Sequence, residues 1–108
     1  MILSAIACWH AAFAADPTTM KWTIGGVQRE ALVYAPSKSS GAGRAPLLFD
    51  FHWHGGSMQE AASGMKSQIL WPEAIVVYMQ GLPTKIYVDP LGLMPGCSRS
   101  QVSSEIAT

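Results

Sequence analysis

The chain has 108 residues, which is enough for one small domain and gives no sign of a second. Apolar residues make up 49% of it and charged residues 13%, a composition typical of a globular protein rather than a disordered one. Seven basic residues balance seven acidic ones without a basic block, and no apolar run reaches the roughly 18 residues of a transmembrane helix, so we expect neither a nucleic acid nor a membrane as partner.

The first residues have the pattern of an export signal. Residues 2–14 are almost entirely apolar, and Ala12-Phe13-Ala14 places small residues where a signal peptidase cleaves. We therefore assign residues 1–14 as a signal peptide and expect a secreted, extracellular protein; a buried N-terminal helix is the alternative. Cys8 would leave with the signal, so Cys97 would remain alone and could form no internal disulfide.

Two strands joined by a tight turn are expected next. Residues 21–24 and 27–35 flank Gly25-Gly26, and two glycines supply the positive φ angles that a two-residue hairpin turn requires. Residues 37–44 are rich in serine and glycine and predict a polar surface loop. The segment therefore predicts a β-hairpin followed by a loop.

The middle of the chain predicts a βαβ unit. Residues 47–53 form a dense apolar run that we expect to be a strand buried on both faces, as in a parallel sheet. Ser57 can cap a helix with Glu60 three residues later, and this helix should reach about Gln68. Residues 74–79 are short, β-branched and free of charge, which favours a second strand. From Gly81 onward we expect a long loop with little regular structure.

The turn between the first of these strands and the helix is the segment that could carry chemistry. His54-Gly55-Gly56-Ser57 lies where a strand ends and a helix begins. A helix N-terminus leaves backbone N–H groups unpaired and carries partial positive charge, and glycines allow a substrate oxygen to approach the backbone. Such a turn can bind the oxyanion that develops during acyl transfer, and we predict Gly56 N–H as the main donor with Ser57 next. An ordinary glycine turn is the alternative.

A longer series of motifs runs through the chain in order. It comprises Arg29-Glu30-Ala31-Leu32-Val33-Tyr34-Ala35-Pro36, Phe51-His52-Trp53-His54-Gly55-Gly56, Trp71-Pro72-Glu73-Ala74-Ile75-Val76-Val77-Tyr78, Gln80-Gly81-Leu82-Pro83-Thr84 and Asp89-Pro90-Leu91-Gly92. In these residues the chain resembles the secreted polyhydroxybutyrate depolymerases and feruloyl-esterase-like enzymes, over about residues 21–96. The resemblance implies an α/β fold, here an incomplete α/β-hydrolase-type sheet formed by the hairpin and one βαβ unit.

The resemblance also implies what the chain lacks. Members of the family hydrolyse esters, of a polyester or of a feruloylated polysaccharide, with a Ser-His-Asp triad and without metal or organic cofactor. Their serine lies in Gly-x-Ser-x-Gly, a motif absent from this sequence, where Gly55-Gly56-Ser57 is followed by Met58. The expected organisation is a signal peptide at 1–14, a partial α/β-hydrolase domain at 15–96 and an aberrant polar tail at 97–108, which suggests a shifted reading frame or an early stop. We expect no esterase activity from the chain alone.

Other patterns have less specific explanations. His52 and His54 could form a metal pair, but no third ligand stands at suitable spacing, so we expect no metal and interpret His54 as bracing the glycine turn. Asp50 is expected to be a hydrogen-bonded structural anion. The tryptophans favour core or rim packing over substrate stacking. A small secreted non-catalytic binding module is the alternative function, and an inert gene fragment is a third; the sequence leaves the oligomeric state open.

Overall fold

The computed structural model describes residues 16–39, 41 and 43–96. The signal peptide assigned to residues 1–14, the polar tail at 97–108 and both cysteines lie outside these described residues. All that follows refers to the described part of the chain.

The N-terminal hairpin is confirmed. Strand β1 (Thr18–Ile24) pairs antiparallel with β2 (Val27–Tyr34), and Ile24 faces Val27 at the closed end. Gly25 and Gly26 have φ of 57° and 76°, the left-handed region that a side chain disfavours. Both central positions are thus in the conformation that a two-residue hairpin turn requires.

Two further strands complete a mixed sheet. Strand β3 (Leu47–Phe51) runs parallel to β4 (Ile75–Met79), and β4 pairs antiparallel with β2 on its other side. The strand order is β1-β2-β4-β3, so β3 lies at an edge. Parallel pairing requires a crossover, and here two short helices provide it.

The crossover differs from the single helix predicted for it. Helix α1 (Met58–Met65) is followed by Lys66 at φ 54° and then by the four-residue α2 (Ser67–Leu70). The left-handed backbone at Lys66 ends α1 after eight residues, and the Lys66 amide bonds the Ala62 carbonyl as the helix closes. The expected helix to about Gln68 is therefore broken at Lys66.

The hydrophobic core lies between α1 and one face of the sheet. Val76 and Tyr78 of the central strand β4 are fully buried there, together with Leu32, Met58, Ala61, Ala62 and Ala74. The Tyr78 hydroxyl accepts a hydrogen bond from the Ser67 amide (3.0 Å) and donates one to Gln68 Oε1 (2.6 Å). A polar group in the core is thus satisfied at the first turn of α2.

The segment after β4 is more ordered than the sequence indicated. Strands β5 (Leu82–Pro83) and β6 (Pro95–Gly96) form a two-stranded ribbon, and the chain between them is folded into turns. The expectation of a loop with little regular structure is wrong here, because Thr84 and Asp89 supply local hydrogen bonds that hydropathy does not reveal.

The fold class predicted from the sequence is also wrong. Strand residues account for 39% of the described chain, which forms two sheets with little helix: a small β-rich domain rather than an α/β-hydrolase-type one. The helices are too short to cover more than part of one sheet face. Consequently β3 is not buried on both faces: Leu47, Phe49 and Phe51 are each about half exposed. Asp50, between them, has a buried Oδ2 with no hydrogen-bond partner in the described residues, contrary to the structural anion expected.

Candidate functional site

The predicted oxyanion segment forms a turn between β3 and α1 that is held from two sides. Gly55 adopts φ of 78°, and its amide donates to the Pro95 carbonyl of β6 at 2.8 Å. The Gly56 amide donates back to the Trp53 carbonyl at 3.0 Å. A Cβ at Gly56 would lie 3.0 Å from Nε1 of the Trp53 indole and 3.1 Å from the Trp53 carbonyl oxygen, so a larger residue at this buried position would crowd Trp53.

These contacts change which amide is open to a ligand. The Gly56 N–H, predicted as the main oxyanion donor, is already bonded within the turn. The Ser57 N–H, predicted as the second donor, has no acceptor among the described residues. It lies at the N-terminus of α1, where the helix dipole favours negative charge.

The cap of α1 explains why the Ser57 amide remains open. The Ser57 hydroxyl accepts a hydrogen bond from the Glu60 amide and donates one to Glu60 Oε2, both at 3.1 Å. The predicted cap is therefore present. In the reciprocal capping box, however, the glutamate would bond the cap residue's own amide. Here the Glu60 carboxylate accepts from the Ser57 hydroxyl instead, so the Ser57 amide has no acceptor among the described residues.

A second anchor of the turn is His52, which is 5% exposed. Its Nε2 accepts the Gly81 N–H at 2.8 Å, so Nδ1 must carry the proton of a neutral ring, and Nδ1 lies 2.6 Å from the Trp53 carbonyl. Contacts on both sides thus assign one tautomer. His52 therefore connects the end of β3 to Gly81. Both of its ring nitrogens are engaged in hydrogen bonds in this tautomer, so neither is available to a metal ion.

Gln80 connects the same region to the helix. Its Oε1 accepts the Met58 amide at 3.0 Å, and its Nε2 lies 3.2 Å from His52 Nε2 and 3.3 Å from the Gly81 carbonyl. The Met58 amide at the start of α1 has no acceptor within the helix, and a side chain that follows β4 therefore accepts its hydrogen bond. This hydrogen bond holds the N-terminus of α1 next to the end of β4.

His54 links the turn to the ribbon. Its Nε2 lies 3.2 Å from Oδ2 of Asp89, which is 6% exposed. The Asp89 carboxylate also accepts the Met94 amide at 2.9 Å and the Leu93 amide at 3.1 Å. These two backbone hydrogen bonds, with a smaller contribution from His54, lower the pKa of Asp89 below its usual value even though partial burial acts against them.

Two glycines allow the β5–β6 ribbon to lie this close to the turn and to His54. A Cβ at Gly81 would lie 2.6 Å from the Gly96 carbonyl oxygen, and a Cβ at Gly96 would overlap Nδ1 of His54. The imidazole is thus enclosed between Asp89 and the backbone of β6. The bracing role predicted for His54 is compatible with this geometry, in which Nε2 is bonded to Asp89 and Nδ1 lies beside Gly96.

The sequence interpretation missed Asp89, Gln80 and the two glycines as parts of the site. All four stand within the quoted motifs Gln80-Gly81 and Asp89-Pro90 or at the end of the ribbon, but spacing alone gave them no role. They act through backbone amides and close backbone contacts. Patterns of hydropathy do not report such contacts.

The tryptophans have different surroundings. Trp53, beside the turn, is 54% exposed, Trp71 is 45% exposed, and Trp22 on β1 is partly buried. None belongs to the buried core described above. Trp53 and Trp71 therefore lie at the surface rather than in the core; rim packing, the other half of the expectation, remains a prediction for them.

Chemically, the arrangement offers an amide at a helix N-terminus that has no acceptor among the described residues, with no nucleophile beside it. Within residues 16–39, 41 and 43–96, no serine hydroxyl is hydrogen-bonded to a histidine. In the same residues, no group of three or more His, Cys, Asp and Glu side chains is placed to hold a metal ion. None of the helices described is long and apolar enough to cross a bilayer.

The chain matches no protein-family model and no curated protein.

Proposed function

We propose that residues 54–57 form the oxyanion-binding segment of a secreted carboxylic ester hydrolase, and that the 108-residue chain does not hydrolyse esters by itself. The observation that carries the proposal is the Ser57 N–H, which is unbonded within the described residues at the N-terminus of α1. An ester carbonyl gains negative charge when it is attacked, and a fixed N–H at a helix N-terminus stabilises that charge.

The surroundings of this amide support the same function. Gly55 and Gly56 present no side chain above the turn, and the His54–Asp89 pair together with Gln80 fixes the turn and the helix start. Preorganised donors stabilise a developing charge better than mobile ones, because no reorganisation accompanies the reaction. The Glu60 carboxylate, bonded to the Ser57 hydroxyl, opposes this effect by placing negative charge nearby.

The expected lack of turnover follows from the missing nucleophile. The sequence contains no Gly-x-Ser-x-Gly motif, and the Ser57 hydroxyl is engaged by Glu60 rather than by a general base. A typical oxyanion donor contributes about 10²–10³-fold to a rate, but only once a nucleophile attacks. The substrate class, a polyester or a feruloylated polysaccharide, comes from the resemblance of the motifs alone.

An NMR titration tests the binding half of the proposal. The ¹⁵N-labelled chain is titrated with hexanoate, whose carboxylate stands in for the oxyanion, and the Ser57 amide should shift while the bonded Gly56 amide shifts little. Glu60→Gln removes the opposing charge and should tighten binding; Glu73→Gln, a partly buried carboxylate elsewhere in the chain, serves as the matched control. An unmoved Ser57 amide would contradict oxyanion binding.

An assay with p-nitrophenyl butyrate tests the catalytic half. We expect product release no faster than with the heat-denatured chain. Saturable turnover by the folded chain would show that a nucleophile had been overlooked.

One observation favours the non-catalytic binding module as a second candidate. Trp53 is more than half exposed beside the turn, where an indole could stack on a sugar or aromatic ring. The test is retention of the chain on insoluble xylan. Loss of retention in Trp53→Ala but not in Trp71→Ala, with no shift of the Ser57 amide in the titration, would favour this alternative.

A further inference from the structure

The two faces of the four-stranded sheet differ in what covers them. Residues paired across neighbouring strands share a face, so the register Met20–Ala31–Met79 and the register Val33–Val77–Phe49 identify one side. The helices pack on the other side, against Leu32, Val76 and Tyr78. We call the side on which no helix of the described residues packs the open face.

The open face is more uniformly apolar than the covered one. Its residues are Thr18, Met20, Trp22, Ile24, Val27, Arg29, Ala31, Val33, Leu47, Phe49, Phe51, Ile75, Val77 and Met79. Apart from Thr18 and Arg29, every one is apolar. The covered side, by contrast, carries the ion pair Lys21–Glu30 at its hairpin end. An apolar face with a single charged residue is the pattern of a surface that excludes water against a partner.

The exposed area is large enough for a specific interface. Met20, Ile24, Leu47, Phe49 and Phe51 are each about half exposed, and Val27 is 38% exposed. At on the order of 100 Å² for each half-exposed side chain, these residues and the partly buried ones between them present roughly 800 Å², the area that one partner contributes to a typical interface.

We propose that a second copy of this chain packs on the open face, sheet against sheet, to form a two-fold symmetric dimer. Two sheet faces pack at about 10 Å with their strands near −30°, and a two-fold axis brings the same apolar patch of both copies together. The single ionised side chain on the face, Arg29, already has an interaction within the chain. One ionised side chain among the fourteen residues of this face leaves no pattern of charge to select an oppositely charged partner, and this favours a second copy over a different protein. The proposal is independent of the oxyanion-binding function.

Neighbouring residues of β1 provide a matched test. Met20 lies on the open face and Thr19 on the covered side; both are exposed, so a lysine is accommodated at either position. Sedimentation equilibrium of the full chain between about 1 and 100 µM should give the mass of two chains for the wild type and for Thr19→Lys, with a dissociation constant at or below the order of 10 µM. Met20→Lys should raise that constant more than tenfold.

A second variant extends the test to the other end of the face. Phe49→Lys in β3 should also dissociate the dimer, and circular dichroism reports whether each variant keeps its fold. A monomeric wild type would overturn the proposal. If that monomer sediments with phosphatidylcholine vesicles, the open face contacts lipid and not a second copy. Equal weakening by Thr19→Lys and Met20→Lys would also overturn it, because that result indicates pairing through the strand edge.

Discussion

Replacing Gly96 by alanine tests whether the ribbon holds the turn in position. Gly96 ends β6 and lies against the His54 imidazole, where a methyl group would overlap Nδ1 and lie 3.2 Å from Cε1. Gly96 does not have a positive φ, so the backbone accepts alanine and any effect arises from crowding.

The magnitude follows from the geometry. To restore ordinary contact the imidazole must retreat by about 1 Å. Nε2 of the same ring is hydrogen-bonded to Asp89 at 3.2 Å, so a movement of this size distorts that bond. Crowding in a packed site costs about 1–3 kcal/mol, and a loss of about 2 kcal/mol lowers the Tm of a domain of this size by about 10 °C.

Gly64→Ala is the matched control for this substitution. Gly64 lies in α1, and a Cβ there meets nothing within 4 Å. Alanine should therefore stabilise the helix by about 0.5–1 kcal/mol and raise Tm by about 4 °C. Thermal unfolding followed by circular dichroism measures both variants, and the His54 ring shifts report the local change. If Gly96→Ala has the same Tm as the wild type and leaves the His54 resonances unshifted, the ribbon does not pack against the turn as closely as described.

Two further predictions concern the cap and the carboxylate. Ser57→Ala removes the cap of α1 and should destabilise the fold by about 1 kcal/mol, whereas Ser63→Ala, which loses only a bond to the Glu60 carbonyl, should change it by less than half as much in urea unfolding. Because the folded pKa of Asp89 is lower than its unfolded value of about 3.9, its stabilisation is present above that pH and is lost as the pH falls through the folded value. The Tm of the wild type should therefore fall more steeply below pH 4 than that of Asp89→Asn, and parallel curves for the two proteins would contradict the assignment.

The elements that the sequence revealed are those fixed by local chemistry. Gly25-Gly26 can hardly be other than a tight turn, and Ser57 with Glu60 is a local cap; both are present. The pairing of β3 with β4 follows from two apolar runs separated by a crossover. Turn and cap residues act within a few positions of themselves, which is why they can be identified from sequence.

Features that depend on distant contacts were not revealed. The apolar run at Leu47–Phe51 was interpreted as buried on both faces, yet hydropathy cannot say whether anything covers the second face, and here α1 covers only the first. The resemblance to an α/β enzyme family led to the wrong fold class for the same reason. The break at Lys66 was also missed, because lysine is an ordinary helix residue and rarely adopts a positive φ.

The site shows the same division. The turn at residues 54–57 was located correctly between a strand and a helix, but which amide is open depended on a carbonyl three residues back and on how Glu60 orients. The acceptor that holds His54 lies 35 residues away at Asp89. Only the folded chain brings these groups together.

The buried hydroxyl of Tyr78 links the register of β4 to the hydrogen bonds of α2. Side chains alternate along a strand, so sliding β4 by one position against its neighbours would turn Tyr78 toward the open face. The Ser67 amide and the Gln68 side-chain oxygen would then lose their shared partner inside the core. A misaligned β4 is thus penalised at the start of α2, the element that precedes it, so the alignment of the strand and the docking of the second helix are selected together.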